Sequence, residues 1–185
     1  ITGAVDLSGT FANNAFIHIT ELPFPRITAI SVNGHMTNDG SITINLDLIG
    51  GPSSAPIVGL KVFDGGTYVN KANRPLIIGK MTHSSLSCKG ILLHDGSNFT
   101  NHGFVDLDSI KGFGIESEAE LITNNGEIRI DDLIPYDDNS VGLYLSDGPS
   151  ESDGSNFINN GLFWMNNIPG FGLFLNDNNS TISNM

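Results

Sequence analysis

Apolar and polar residues alternate along this chain in short runs, and each run is broken by Gly, Asn, Asp or Pro. Alternation with a period of two predicts half-buried β-strands, and the absence of any sustained 3.6-residue period predicts few or no helices. The run Asn124-Asn-Gly-Glu-Ile-Arg-Ile130 shows the unit. An Asn-Asn-Gly corner feeds a strand with Ile128 and Ile130 on one face and Glu127 and Arg129 on the other. The phrase apolar–x–Asn–x–Gly–x–apolar recurs at Met36–Ile42, Phe99–Val105, Ile122–Ile128 and Phe157–Phe163, and with Ala for Gly at Phe11–Ile17. Tyr68–Ala72 is a weaker copy, and Ile182-Ser-Asn184 supplies the start of one more. The corner asparagines are Asn13, Asn38, Asn70, Asn101, Asn124, Asn159 and Asn184, with gaps of 25, 32, 31, 23, 35 and 25 residues. A loose period of this length is the mark of a stacked-repeat architecture.

A second phrase precedes the corners. Glycine followed by alternating apolar residues occurs at Gly3, Gly59, Gly90, Gly114, Gly142 and Gly172, with Ala29-Ile-Ser-Val32 in the remaining slot. This glycine lies 10 to 12 residues before its corner asparagine in most copies, and 17 before Asn159. The surplus sits in the polar stretch 146–154, which is expected to loop out from one side without adding a rung. No single run is long enough to make a sheet by itself. Stacked in parallel on the same run of adjacent repeats, the runs bury columns of apolar residues that include Val5, Phe11, Ile42, Leu93, Phe99, Ile115, Ile128, Leu145, Phe157 and Phe163. The expected fold is therefore all-β, a parallel β-helix (β-solenoid) of about seven irregular coils forming one segment over 1–185, part of a longer array or assembly. The corner asparagines are expected to hydrogen-bond from coil to coil, and Gly126 and its equivalents to adopt positive φ. The competing arrangement, hairpins in a sandwich, does not require the glycine phrase before each corner.

Charge narrows the function. The chain carries 20 acidic and 8 basic residues, and positions 112–185 hold twelve acids against Arg129 alone. Such a surface excludes nucleic acid and anionic membrane as partners, since both demand Lys and Arg. No apolar run reaches the length of a membrane span. Cys88 is the sole cysteine, so no intrachain disulfide forms.

Candidate chemistry is sparse. Asp131, Asp132, Asp137, Asp138, Asp147 and Asp153, with Glu151, form the candidate cation or ligand site, and Ca²⁺ is the metal that carboxylates of this kind suit. Neither an EF-hand nor a Gly-Gly-x-Gly-x-Asp nonapeptide is present, and the bland alternative is a solvated acidic loop. Adjacent aspartates on a strand point to opposite faces, so neither Asp pair is by itself a catalytic dyad. The five histidines lack zinc spacing. Trp164 follows inward Phe163 and should face outward, where it is a candidate for stacking on a sugar ring.

The strings Thr123-Asn-Asn-Gly-Glu-Ile128, Asn139-Ser-Val-Gly-Leu-Tyr-Leu145 and Gly154-Ser-Asn-Phe-Ile-Asn-Asn-Gly161 resemble the passenger repeats of bacterial autotransporter adhesins. The resemblance is clear over residues 89–185 and degraded before them. It implies a right-handed parallel β-helix, secreted and displayed at the cell surface, that serves as a non-enzymatic adhesin segment or stalk. The partner would then be a surface glycan or protein of a host or neighbouring cell. Two rivals stand beside it. One is a subunit that stacks end to end with other copies of itself into a filament. The other is a polysaccharide-active enzyme, against which the absence of Asn-Thr-Asp, Gly-His-Gly and Arg-Ile-Lys motifs counts.

Overall fold

The computed structural model describes residues 5–20, 28–47, 56–83, 86–136, 140–146, 154–176 and 179–185. Among them are twenty strands and no helix, arranged as three parallel sheets that run the length of a right-handed coil. The first sheet holds β1 (Val5–Leu7), β4 (Thr28–Val32), β7 (Ile57–Val62), β10 (Cys88–Leu93), β13 (Gly112–Ser117), β16 (Val141–Leu145) and β19 (Phe171–Leu175). The second holds β2 (Thr10–Asn13), β5 (His35–Asn38), β8 (Thr67–Asn70), β11 (Asn98–Asn101), β14 (Leu121–Asn124), β17 (Asn156–Asn159) and β20 (Thr181–Asn184). The third holds β3 (Phe16–Ile19), β6 (Ser41–Asp47), β9 (Pro75–Thr82), β12 (Phe104–Ile110), β15 (Glu127–Asp131) and β18 (Leu162–Asn166).

Each coil thus contributes the glycine-led strand, the strand ending in the corner asparagine, and the strand leaving the corner. Every corner asparagine stands opposite the next in register, from Asn13↔Asn38 through Asn159↔Asn184. At about 4.8 Å per coil the seven coils span roughly 29 Å between the first and last strands.

The core is a set of aliphatic columns inside the coil. Ile42, Leu76, Val105 and Ile128 stack along the third sheet, and Ile30, Leu60, Ile91, Ile115 and Leu143 along the first, all essentially inaccessible. Of the inward residues expected from the alternation, Val5, Phe11 and Phe163 are half-buried and pack against this cluster. Val5 and Phe11 lie in the first coil and Phe163 on the last strand of the third sheet, where one side of the column has no neighbouring strand among the described residues.

The glycine after each corner does not do what its residue type suggests. Gly40, Gly103, Gly126 and Gly161 are absent from the residues with positive φ; Gly9, Gly65, Gly96 and Gly112 are the glycines there. Instead, a Cβ on Gly126 would press on the carbonyl oxygen of Gly103 and lie 2.9 Å from its nitrogen, and one on Gly161 would press likewise on Gly126. The demand is for close approach between stacked backbones, not for a left-handed conformation. Non-glycine residues take the positive φ at the far end of the third sheet. There Lys80, Ser109, Asp132 and Asn167 repeat at φ between 48° and 54°.

Candidate functional site

The corner is the best-defined polar feature of the molecule. Asn13 Nδ2 donates to Asn38 Oδ1 at 2.8 Å, Asn38 to Asn70 at 2.8 Å, and Asn70 to Asn101 at 2.9 Å. Asn101 donates to Asn124 at 2.8 Å, Asn124 to Asn159 at 2.7 Å, and Asn159 to Asn184 at 2.8 Å. Asn38, Asn70, Asn101 and Asn124 are fully buried, Asn13 and Asn159 nearly so, and Asn184 is exposed at the last coil. Each interior side chain also serves the backbone. Oδ1 of Asn101 accepts from the Gly103 N–H at 3.1 Å, and Nδ2 of Asn101 donates to the Glu127 carbonyl of the next coil at 3.0 Å. The main chain continues its ladder through the bend, for example from Asn125 N to Asn101 O at 2.7 Å. A short side chain with a donor and an acceptor at its tip is what such a bend requires, because a buried polar group left unpaired is costly.

The acidic candidates separate. Asp137, Asp138, Asp147 and Asp153 lie outside the described residues. Asp131 ends β15 and Asp132 follows it at φ 48°. Their neighbours one coil on are amides, not carboxylates. Asn166 Nδ2 donates to Asp131 Oδ1 at 3.0 Å and Asn167 Nδ2 to Asp132 Oδ1 at 2.6 Å. Of the six aspartates grouped as the candidate cation site, the two described ones, Asp131 and Asp132, are therefore paired with neutral amides on and just after the next strand of their sheet. Among the described residues no three His, Cys, Asp or Glu side chains are grouped to hold a metal. Beside Asp132 lies an open groove of about 350 Å³, lined by Leu133, Pro135, Asn167, Ile168 and Pro169.

Other acids are set by their neighbours. Asp106 and Asp108 on β12 stack over Arg129 and Asp131 on β15. Burial pushes the Asp106 carboxyl up, against the pull of Arg129. Glu116 is bound by Lys89 at 2.5 Å in a half-buried pair, and it faces Tyr144 across the sheet. His94 stacks on Phe63 with ring centres 5.5 Å apart, and burial holds its imidazole below the ordinary value. Cys88 is buried, and its thiol is pushed up to about 11 by that burial, which makes it unreactive at neutral pH.

Trp164 does face outward, 39% exposed. The Arg129 guanidinium lies over its ring at 5.2 Å and over Phe104 at 5.6 Å, so one Trp face is already covered. A second aromatic column, not singled out in the sequence, runs up the outside of the first sheet. Phe113 meets Tyr144 edge-on with centres 5.9 Å apart, and Tyr144 stacks on Phe174 at 5.5 Å with planes 5° apart. Rings stacked along the coil axis present edges to solvent, whereas sugar stacking needs an open face. The signal was available for two of the three rings: Tyr144 and Phe174 each stand two residues after the repeating glycines Gly142 and Gly172, whereas Phe113 precedes Gly114.

The base of the 146–154 insertion is tied. Ser155 Oγ lies within hydrogen-bond distance of the Ser117 and Ser146 carbonyls, at 3.0 and 3.2 Å, while Ser117 Oγ accepts from the Ala119 N–H at 3.0 Å. Residues 147–153 themselves lie outside the described residues.

Residues 4–185 match the family model of the BigA third pectate lyase-like domain, and the chain belongs to that family. The match places the chain among β-helix-type domains of bacterial adhesin-like proteins. No curated protein and no solved structure matches the chain.

Proposed function

We propose that this member of the BigA third pectate lyase-like domain family is a non-enzymatic segment of an extracellular, surface-displayed bacterial protein, acting as part of an adhesin or as its rigid stalk. The observation that carries the reading is the unbroken register. Seven coils are joined by six consecutive Asn–Asn hydrogen bonds and by three continuous parallel sheets. A rod whose every coil is tied to the next in the same way holds its two ends at a fixed distance, which is what a spacer or a display surface needs. Two further features support it. The family is adhesin-like. The outward carboxylates Asp131 and Asp132 are engaged by amides, and Arg129 is sandwiched between two aromatic rings. The autotransporter route to the surface belongs to this proposal as well.

The reading is tested by presenting the purified chain to a glycan array and to intact cells, alongside an assay for unsaturated uronide release from polygalacturonate. Retention on cells or glycans, with no product formed, supports the adhesin reading. Neither retention nor product supports the stalk. Release of unsaturated product that is lost in an Asp106→Asn, Asp131→Asn double variant overturns both.

A further inference from the structure

One face of the coil carries no fixed charge. The seven strands of the second sheet, four residues each, contain no Asp, Glu, Lys or Arg, although such residues make up 15% of the chain. Their inward positions are apolar or corner asparagine, as a closed core requires. The informative positions are the outward ones, two on each strand. On the inner strands β8, β11 and β14 these form two rows in register, Thr67, Asn98 and Leu121 in one and Val69, Thr100 and Thr123 in the other. Outward positions elsewhere are different. Lys61, Lys89 and Glu116 stand on the first sheet, and Asp106, Glu127 and Arg129 on the third. Strand propensity acts alike on all three sheets, so it does not account for the contrast.

The polar groups on this face are also uncommitted. Among the described residues, no side-chain hydrogen bond engages Thr67, Asn98, Thr100 or Thr123, and all four are half-buried. That sets them apart from the corner asparagines of the same strands, whose amides are used from coil to coil. Each hydroxyl and amide can both donate and accept, and such positions recur about 4.8 Å apart across the strands and about 6.6 Å apart along them. Val69, Leu121 and the threonine methyls leave apolar surface between them. Charge begins at the margins. Glu120 precedes β14 on one side, and on the other Asp39 is paired with Lys71 at 2.9 Å and with Arg74 at 3.1 Å.

A flat grid of donors and acceptors with apolar gaps matches a linear glycan chain, whose hydroxyls also donate and accept and whose ring C–H faces are apolar. Charge selects within that class. The protein bears a formal net charge of -12, none of it on this face, and so repels a polyanion such as a polyuronate or a sulfated glycan. An uncharged glycan meets no such barrier. A second copy of the face fits less well. Seven strands of four residues offer a patch of about 29 Å by 13 Å, and burying two of these removes about 800 Å² in total, below the roughly 1,000 Å² of a stable interface.

We infer that the outer face of the second sheet is a binding surface for uncharged linear glycan chains, laid along the coil axis across successive strands. Thr67, Asn98, Thr100 and Thr123 exchange hydrogen bonds with sugar hydroxyls. Single contacts of this kind are weak, and the face gains affinity by repeating them along one chain. The inference rests on the adhesin form of the proposed function, and it names the ligand class and the face. Trp164 and the aspartates of the third sheet take no part in it.

The test is biolayer interferometry of the purified chain against neutral glucans, galactans and mannans and against polygalacturonate and heparin, at low and physiological salt, with cell retention and sedimentation velocity alongside. Two variants are compared with the parent, each first shown to keep its thermal melt. Thr100→Val with Thr123→Val removes two hydroxyls and keeps β-branched side chains, and Thr43→Val makes the same change on the outer face of the third sheet. Binding to a neutral glycan is expected, indifferent to salt, weakened about tenfold by the double variant and unchanged by Thr43→Val. Neutral-glycan binding that the double variant leaves intact overturns the inference while the adhesin reading stands. Binding confined to the acidic glycans, or retention on cells without glycan binding, does the same. Binding to neither glycans nor cells overturns the inference and the adhesin reading together and leaves the stalk. A wild-type dimer that the double variant dissolves gives the face to a second copy and overturns the inference as well.

Discussion

Replacing Asn124 by alanine removes the middle of the corner ladder. Asn124 accepts from Asn101 Nδ2 at 2.8 Å and from the Gly126 N–H at 3.3 Å, and it donates to Asn159 Oδ1 at 2.7 Å and the Leu162 carbonyl at 3.0 Å. The loss is uneven. Asn101 Nδ2 keeps the Glu127 carbonyl at 3.0 Å and is not orphaned. Asn159 Oδ1 loses its ladder donor, and the Gly126 N–H loses its acceptor inside a closed bend. Two buried groups left unpaired, at about 1–3 kcal/mol each and with some relaxation, put the cost at about 2–4 kcal/mol. For a chain of this length that corresponds to a fall of roughly 4–16 °C in Tm. The same substitution at Asn184, exposed at the last coil, should cost about 0.5 kcal/mol or less. Asn124→Asp is a sharper version, since it replaces the donor by an oxygen facing the Asn159 and Leu162 acceptors. Its carboxyl would be raised by burial, so its penalty is full at neutral pH and shrinks as pH falls and the group protonates. Urea unfolding of the variants at two pH values reads all of this. An Asn124→Ala chain within about 0.5 kcal/mol of the parent, or an Asn184→Ala chain equally damaged, would refute the reasoning.

Gly126→Ala should destabilise by about 3 kcal/mol or more although its φ is ordinary, whereas Gly96→Ala, at φ 67° with the new Cβ 3.5 Å from Gly65 N, should cost about 1 kcal/mol; urea midpoints check the order. Tyr68 is fully buried, with its phenol pushed up by burial against the pull of the nearby Asn38 side chain, and its hydroxyl makes no hydrogen bond of good geometry, so Tyr68→Phe should change stability by no more than about 1 kcal/mol in a thermal melt. Asp106 has its folded pKa raised, so the folded state binds the proton more readily and stability is lost as pH rises from the unfolded value through the folded one. Asp106→Asn should therefore raise Tm at pH 7 and lose that advantage on acidification. Millimolar Ca²⁺ should leave Tm unchanged, because Asp131 and Asp132 are held by amides; a rise that Asp137→Ala with Asp138→Ala abolishes would instead locate a cation in that loop.

Architecture was legible in the sequence because stacked repeats impose the same local demand seven times. A corner asparagine with a glycine phrase 10 to 12 residues ahead survives irregular spacing, and each such pair became one rung of the coil. The reason for the following glycine was not legible. Asn-Gly reads locally as a turn with positive φ, whereas the controlling contact is with Gly103 or Gly126 more than twenty residues away. Register between coils explains the other differences. The sequence groups Asp131 and Asp132 only with other carboxylates, whereas pairing of β15 with β18 sets them beside the amides Asn166 and Asn167. Trp164 was placed outward correctly from its alternation with Phe163, yet the Arg129 guanidinium on its face depends on a partner thirty-five positions earlier.

The ladder itself is open to one direct measurement, the hydrogen-exchange rates of the asparagine side-chain amides followed by NMR. If Asn38, Asn70, Asn101 and Asn124 are tied from coil to coil in a closed interior, their Nδ2 protons exchange as slowly as the core backbone amides beside them, while those of exposed Asn160 and Asn184 exchange at solvent rates. Fast exchange at the four buried asparagines, with the backbone of the same coils protected, would contradict the stacked-corner account.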